Sequence, residues 1–277
     1  SISTWDSTSE ISAFSRSDKG IAFQLPYFRY PLLVSKKVFE ASDGAYDPTV
    51  MPLVNAWGFG PEKISKPDTA RIRRTMEYIG FSKVRITEDS VIKSDPRVQL
   101  DFSAIGQGYG ADVVTEYLRS RGITNMLVEL GGEGMAVGIN TESGKPWELG
   151  LVDPRKPERF IGYLHLKDRS FSTSGNYFNY REVNGVRYSH TIDPETGFPS
   201  EKAIMSATVF ASDCATADAW ATAFMTMGHE RAIRVLESHP EIDACLLWSV
   251  PSKDGMGIGK HVTKGAEALV TFEEDLL

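Results

Sequence analysis

Apolar positions recur with helical spacing in several stretches of the chain. Over residues 31–41, Leu32, Leu33, Val34, Val38 and Phe39 interleave with polar positions in an amphipathic pattern. Asp68 can cap a helix over residues 69–79 that Gly80 ends. A third helix is predicted over 110–121 with Gly122 as its stop. A fourth covers 215–227, with Ser212 or Asp213 as cap and Gly228 as stop, and residues 229–238 predict a fifth.

Runs rich in β-branched and apolar residues predict strands at 83–87, 98–102, 125–130, 147–152, 160–166 and 205–211. Ala244-Cys245-Leu246-Leu247-Trp248 is strand-like as well. Residues 180–188 alternate about an Asn184-Gly185 turn and predict a hairpin. The chain shows no internal repeat and no low-complexity linker. Helices and strands mix without a steady βαβ rhythm, which predicts an α+β fold.

Composition narrows the class. Of 277 residues, 41% are hydrophobic and 24% charged, a globular balance that excludes disordered, collagen-like and coiled-coil chains. The length suits one large domain or two closely packed lobes. With 30 Lys plus Arg against 37 Asp plus Glu, the net charge of −7 argues against nucleic acid as a partner. An anionic ligand would need a metal or backbone amides to help bind it. No stretch approaches the ~18 apolar residues of a membrane span, and no signal peptide is visible. The chain starts at Ser1 without an initiator Met, so residue 1 is taken as a boundary, with any targeting segment outside the sequence. Cys214 and Cys245 are expected to be free, buried, structural thiols.

Four loop-like segments concentrate Gly, Asp, Ser and Thr. They are Asp43-Gly44-Ala45-Tyr46-Asp47-Pro48-Thr49, residues 101–112, Leu130-Gly131-Gly132-Glu133-Gly134, and Ser172-Thr173-Ser174-Gly175-Asn176-Tyr177. The second leaves a predicted strand, passes Gly106, Gly108 and Gly110, and enters a helix. Such a junction offers backbone amides to an anion, or is merely a structural turn. It matches neither the dinucleotide fingerprint nor a P-loop.

Asp218 and Thr222 share one face of an otherwise nearly apolar helix. They could give oxygen ligands to a hard cation such as Mg2+. Equally, Asp218 could accept hydrogen bonds from backbone or Tyr, with Thr222 bonding its own preceding turn. His190, ahead of the Asp193-Pro194-Glu195-Thr196-Gly197 turn, is a base or a turn stabiliser. Nucleophile-elbow and His-Glu-x-x-His motifs are absent, so hydrolase triads and zinc peptidases have no support.

Taken in order, these pieces resemble the ApbE family of FAD:protein FMN transferases. The match starts at Ser3-Thr4-Trp5 and Ser9-Glu10-Ile11-Ser12-Ala13-Phe14 and continues through residues 43–49. Pro52-Leu53-Val54-Asn55-Ala56-Trp57-Gly58-Phe59-Gly60-Pro61 follows, then residues 101–112 and Leu130-Gly131-Gly132. The Ser172 stretch, residues 190–199 and the Asp218–Thr222 helix complete the set. The resemblance covers nearly the whole chain and implies a single domain over 1–277, an α+β unit of two intertwined lobes with FAD in the cleft between them. The family domain begins further upstream, with a Met-Gly-Thr segment that touches FAD, so its first part is expected to be missing here.

Position by position, the resemblance implies Mg2+ ligands at Asp218, Thr222 and the Ala104 backbone carbonyl. It implies FAD contacts from Ser3, Thr4, Trp5, Asp43, Gln107 and Ile192, and a catalytic base at His190. The implied reaction moves the FMN half of FAD onto a Thr or Ser hydroxyl of an acceptor protein and releases AMP. The implied acceptor is a membrane redox-complex subunit, and the implied location is the periplasm or cell envelope. A Mg2+-dependent FAD pyrophosphatase and a non-catalytic FAD-binding protein are the alternatives.

Overall fold

The computed structural model describes residues 1–62, 67–176, 180–183, 186–200, 204–252 and 255–273. Its helices are α1 (Glu10–Arg16), α2 (Pro26–Ala41), α3 (Met51–Trp57), α4 (Thr69–Thr75), α5 (Gly106–Ser120), α6 (Cys214–Met227) and α7 (His229–Ser238). The strands are β1 (Gly20–Ala22), β2 (Val84–Ile86), β3 (Ser90–Lys93), β4 (Met126–Leu130), β5 (Glu133–Val137), β6 (Trp147–Asp153) and β7 (Lys156–Leu166). They continue with β8 (Arg169–Gly175), β9 (Tyr180–Val183), β10 (Val186–Ser189), β11 (Ile204–Phe210), β12 (Asp243–Ser252), β13 (Gly255–Val262) and β14 (Val270–Phe272). The fold is α+β. It divides into two compact units, Ser1–Gly106 with Tyr180–Ser200 and Gln107–Asn179 with Glu201–Leu277.

The first unit carries a small antiparallel sheet in the order β1-β3-β2, the helices α1 to α4 and the β9–β10 hairpin. Ser9 caps α1 by accepting from the Ser12 N–H, and α1 buries Ile11 and Phe14. Helix α2 starts five residues before the predicted point, at Pro26 in its first turn, and runs through Pro31. Proline's fixed φ suits a helix start. The donor missing at Pro31 would have met the Tyr27 carbonyl, and Tyr27 is exposed, where water can serve instead. Asp68 caps α4 as predicted, accepting from the Ala70 N–H. Helix α4 then tightens into a 3-10 turn at Met76–Tyr78 ahead of Gly80, whose φ is 125°.

The strand predicted at 98–102 does not form. Among the described residues it makes a single bridge, Gln99 with Val50, beside which the Asp101 N–H donates to the Pro48 carbonyl. Val98, Leu100 and Phe102 are buried side by side in sequence alternation, so the pattern reports burial without a partner strand. The hairpin predicted at 180–188 is present as β9 and β10, while its Asn184-Gly185 turn lies outside the described residues.

The second unit is built on a six-stranded antiparallel sheet in the order β13-β12-β11-β8-β5-β4. One face meets the three-stranded sheet β14-β7-β6 through Leu151, Ile161, Leu164, Phe171, Phe210 and Leu247. The other carries a cluster in which Met126, Val128, Met135 and Val137 pack with Ala111 of α5 and Cys214 of α6. Helix α6 lies on β5, β8 and β11 and is buried nearly all round, as its apolar composition requires. Both cysteines are free and buried. Among the described residues no helix is long and apolar enough to cross a membrane.

The segment beginning at Ser172 is largely strand β8, although its Ser and Thr content had pointed to a loop. Inside a sheet the backbone pairs with the neighbouring strands, and Thr173 and Thr208 hydroxyls bond each other across the ladder at 2.9 Å. Gly131 and Gly132 form the two-residue turn between β4 and β5, with φ of 78° and 112°. Positive φ at both positions is what a tight primed hairpin turn demands.

Candidate active site

In the second unit the site grows from the contact of α5 with α6. The start of α5 needs partners for its first N–H groups. Gly108 N–H finds one in Asp218 Oδ2, at 3.0 Å. The two helices are this close because Gly108 has no side chain. A Cβ there would lie 2.3 Å from the Cys214 carbonyl oxygen and 2.8 Å from Asp218 Cβ. Asp112, one turn along α5, accepts from the N–H groups of Cys214 and Ala215 at 2.8 and 2.9 Å. It shares the capping of α6 with Asp213, which accepts from Thr216 N–H.

Asp218 is therefore buried, 4% exposed, on a face aimed at α5. Burial pushes its carboxyl pKa up, the Gly108 N–H opposes that, and the charge of Asp112 adds to the rise. Thr222, one turn further, is half-buried. The hydrogen-bonding alternative for Asp218 is realised in part, since one of its oxygens takes a backbone N–H. Gln107 is exposed beside Gly108, with its Nε2 over Gly131 and 3.4 Å from the Leu130 carbonyl.

Sequence reasoning gave no role to Glu133. It opens β5, is only 6% exposed, and its Oε2 has no hydrogen-bond partner among the described residues. Its cross-strand neighbour Ser172 on β8 brings a buried hydroxyl beside the carboxyl, where it favours the charged form. Burial, then the charges of Asp218 and Glu129, push the Glu133 carboxyl up. Its position after two glycines looked like loop, and nothing local signals that the hairpin points it inward.

The first unit holds the remaining expected residues in separate loops. His190 follows β10, half-buried, and leads into a turn. There Ile192 bridges Pro199, Asp193 N–H donates to the Phe198 carbonyl, and Gly197 N–H donates to that of Asp193. Ile192 is buried with Leu53, Trp57 and Ile72. Trp57 Nε1–H donates to the Gly197 carbonyl at 2.8 Å and pins the turn to α3.

Ser3, Thr4 and Trp5 form the tight turn before α1, where Ser9 Oγ donates to the Ser3 carbonyl. Trp5 is 70% exposed, which excludes a core role and leaves its ring available to a ligand. Asp43 sits exposed after α2 in the left-handed region, φ 51°. Behind it, Asp47 is buried, accepting from the Thr49 N–H and hydroxyl, and desolvation lifts its pKa to about 6. Ala104 lies in the turn just before α5. The Gly108 N–H, which a continued helix would aim at the Ala104 carbonyl, is used by Asp218.

No cluster of three or more His, Cys, Asp or Glu spaced to hold a metal occurs among the described residues. A hard cation here would rest on mixed oxygens, and the donors fit one: a buried carboxylate, a hydroxyl one turn on, and a second buried carboxylate with an idle oxygen.

The sequence model of the ApbE family matches residues 1–246. An FAD:protein FMN transferase of Vibrio cholerae is 38% identical over 246 residues, covering 86% of this chain and 72% of that protein. One of Haemophilus influenzae is 34% identical over 251 residues, covering 86% and 71%. Among solved structures, the flavin transferase ApbE from Vibrio cholerae is similar with a TM-score of 0.85 at 33% identity, covering 97% of this chain and 85% of that one. The apo Pseudomonas stutzeri flavinyl transferase ApbE gives 0.83 at 32% identity, covering 97% and 82%.

Proposed function

The chain belongs to the ApbE family and is an FAD:protein FMN transferase, and we propose that it works with Mg2+ held at Asp218 and releases AMP. The observation that carries the cation is the Asp218 carboxylate, buried beside a second buried carboxylate with no Lys or Arg paired to either among the described residues. Uncompensated charge of that kind costs stability unless a cation joins it.

Asp218 and Thr222 would hold the ion with their side chains and Ala104 with its carbonyl. When bound, the ion supplies Lewis-acid stabilisation of the pyrophosphate charge. Gly108 N–H keeps one Asp218 oxygen fixed, so the other keeps its orientation. Trp5, exposed at its turn, would offer a flat face to the flavin, with Ser3, Thr4, Asp43, Gln107 and Ile192 completing the contacts. His190 takes the proton of the acceptor hydroxyl as its oxygen bonds to the FMN phosphorus and the bond to the AMP phosphate oxygen breaks. A ring with a reference pKa near ~6.5 can accept that proton at neutral pH. Positioning and charge stabilisation otherwise dominate phosphoryl transfer.

The acceptor is a Thr- or Ser-bearing loop of a membrane redox subunit, met in the periplasm or at the cell envelope. That reading is supported by the family alone. The test incubates the protein with FAD, Mg2+ and a Thr-bearing acceptor domain and follows acceptor mass and free FMN together. Mass gain on the native loop, and none on a Thr→Val loop, supports transfer. Steady FMN and AMP release with no labelled acceptor would instead make it an FAD pyrophosphatase.

A further inference from the structure

Asp112 lies beside Asp218 and Glu129 beside Glu133 in the second unit, and both Asp112 and Glu129 are already committed. Asp112 spends one oxygen on the Cys214 N–H and the other on the Ala215 N–H. Glu129 is exposed and accepts from the Gly132 N–H at 2.6 Å. Glu133 differs from both. It is more than nine-tenths buried, its Oε2 has no hydrogen-bond partner among the described residues, and it lies beside the Gly131 turn, near enough to Asp218 to feel its charge. A Cβ placed on Gly131 would lie 3.6 Å from Oε2 and 2.1 Å from the Gln107 amide nitrogen. The idle oxygen therefore sits by the first turn of α5, where Gly108 already holds Asp218.

A protein gains nothing by burying an unpartnered carboxylate oxygen next to another carboxylate. The arrangement becomes favourable once a divalent cation, with its waters, lies among them. We infer that Glu133 supplies a second carboxylate to the cation site of Asp218, with the Ser172 hydroxyl beside it as a further oxygen. This rests on the reading of Asp218 as a cation ligand. It makes Glu133 a positioning residue for the ion, one that phosphate chemistry never needs to touch.

The alternative is that Glu133 is a structural hydrogen-bonding group, for which a neutral amide would serve as well. The test uses the full chain and Mn2+ as the probe, titrated by electron paramagnetic resonance with FAD present and without it. Thermal unfolding is measured with and without Mg2+. Glu133→Gln should weaken Mn2+ binding ~10- to 100-fold, the usual cost of losing an outer-shell partner. It should also shrink the Mg2+-dependent rise in the unfolding midpoint while leaving the metal-free midpoint unchanged or higher. Glu133→Asp keeps the charge on a shorter arm and should retain more affinity than Glu133→Gln.

Binding by Glu133→Gln equal to the wild type, with Asp218→Asn impaired, would overturn the role of Glu133 and leave Asp218 in place. Equal losses in Glu133→Gln and Glu133→Asp would overturn it too, since charge would then not be the cause. Wild-type affinity in Asp218→Asn, or no Mn2+ binding by the wild type, would instead overturn the cation reading of Asp218 itself.

Discussion

Gly108 and Asp218 lie 110 positions apart in sequence and are joined by a hydrogen bond of 3.0 Å from the Gly108 N–H to Asp218 Oδ2. The bond ties the start of α5 to the middle of α6 and aims the carboxylate that the proposed cation needs. It exists only because the residue on α5 lacks a side chain. Gly108→Ala would drive a methyl into the Cys214 carbonyl, which is backbone and cannot swing aside. The expected loss is ~1–3 kcal/mol, typical of overpacking. Urea unfolding measures that loss, and weaker Mn2+ binding should accompany it as Asp218 is pushed off α5.

Asp218→Asn keeps the size of the side chain and removes its charge. FMN transfer to an acceptor should fall by more than the ~10- to 100-fold that loss of an outer-shell metal partner costs. Metal-free stability should stay level or rise, because a buried charge has been deleted. Chelation of the wild type by EDTA should mimic the activity loss. Acceptor mass and the urea midpoint, measured in parallel, check both halves.

His190→Ala should cut kcat by ~100- to 10,000-fold with little change in FAD affinity, as removal of a general base does. Fluorescence titration of FAD beside single-turnover labelling separates the two. A loss of affinity as large as the loss of rate would assign His190 to binding instead.

Trp57→Phe retains the ring packing against Phe198, whose centroid lies 5.5 Å away, but loses the bond to the Gly197 carbonyl. A buried acceptor left empty costs ~1–3 kcal/mol. The His190 turn should loosen with it, lowering kcat well short of the His190→Ala loss. Urea melts and single-turnover rates report the two effects.

Asp47 provides a pH prediction. Desolvation raises its folded pKa from the ordinary 3.8 to about 6. The folded state then holds the proton more tightly, so this contribution to stability is complete below about pH 4 and is lost as pH rises through 6. The two-unit difference corresponds to about 3 kcal/mol. Wild-type stability relative to Asp47→Asn should fall by that order between pH 4 and 7.5. Parallel urea titrations at the two pH values measure the difference, and a flat difference would place the Asp47 carboxylate in an ordinary environment.

What the chain determined by itself was local. The near-continuous apolar run of α6, its Asp213 cap and Gly228 stop, and the spacing of Asp218 and Thr222 are set by residues within a few positions of one another, and the helix follows the expected bounds closely. Helix α7 does the same at 229–238. The His190 turn was legible for a similar reason, because Asp193-Pro194 and Gly197 encode a turn whatever surrounds them. The tertiary structure decided what depended on partners. Residues 98–102 carry a strand pattern but have, among the described residues, no neighbouring strand to pair with, whereas the Ser- and Thr-rich β8 becomes central because β5 and β11 flank it. Glu133 is buried beside Asp218 only once the Gly131-Gly132 turn folds β5 back along β4 under α6. Hydrophobic periodicity records which face of a segment avoids water; it does not record which distant segment covers that face.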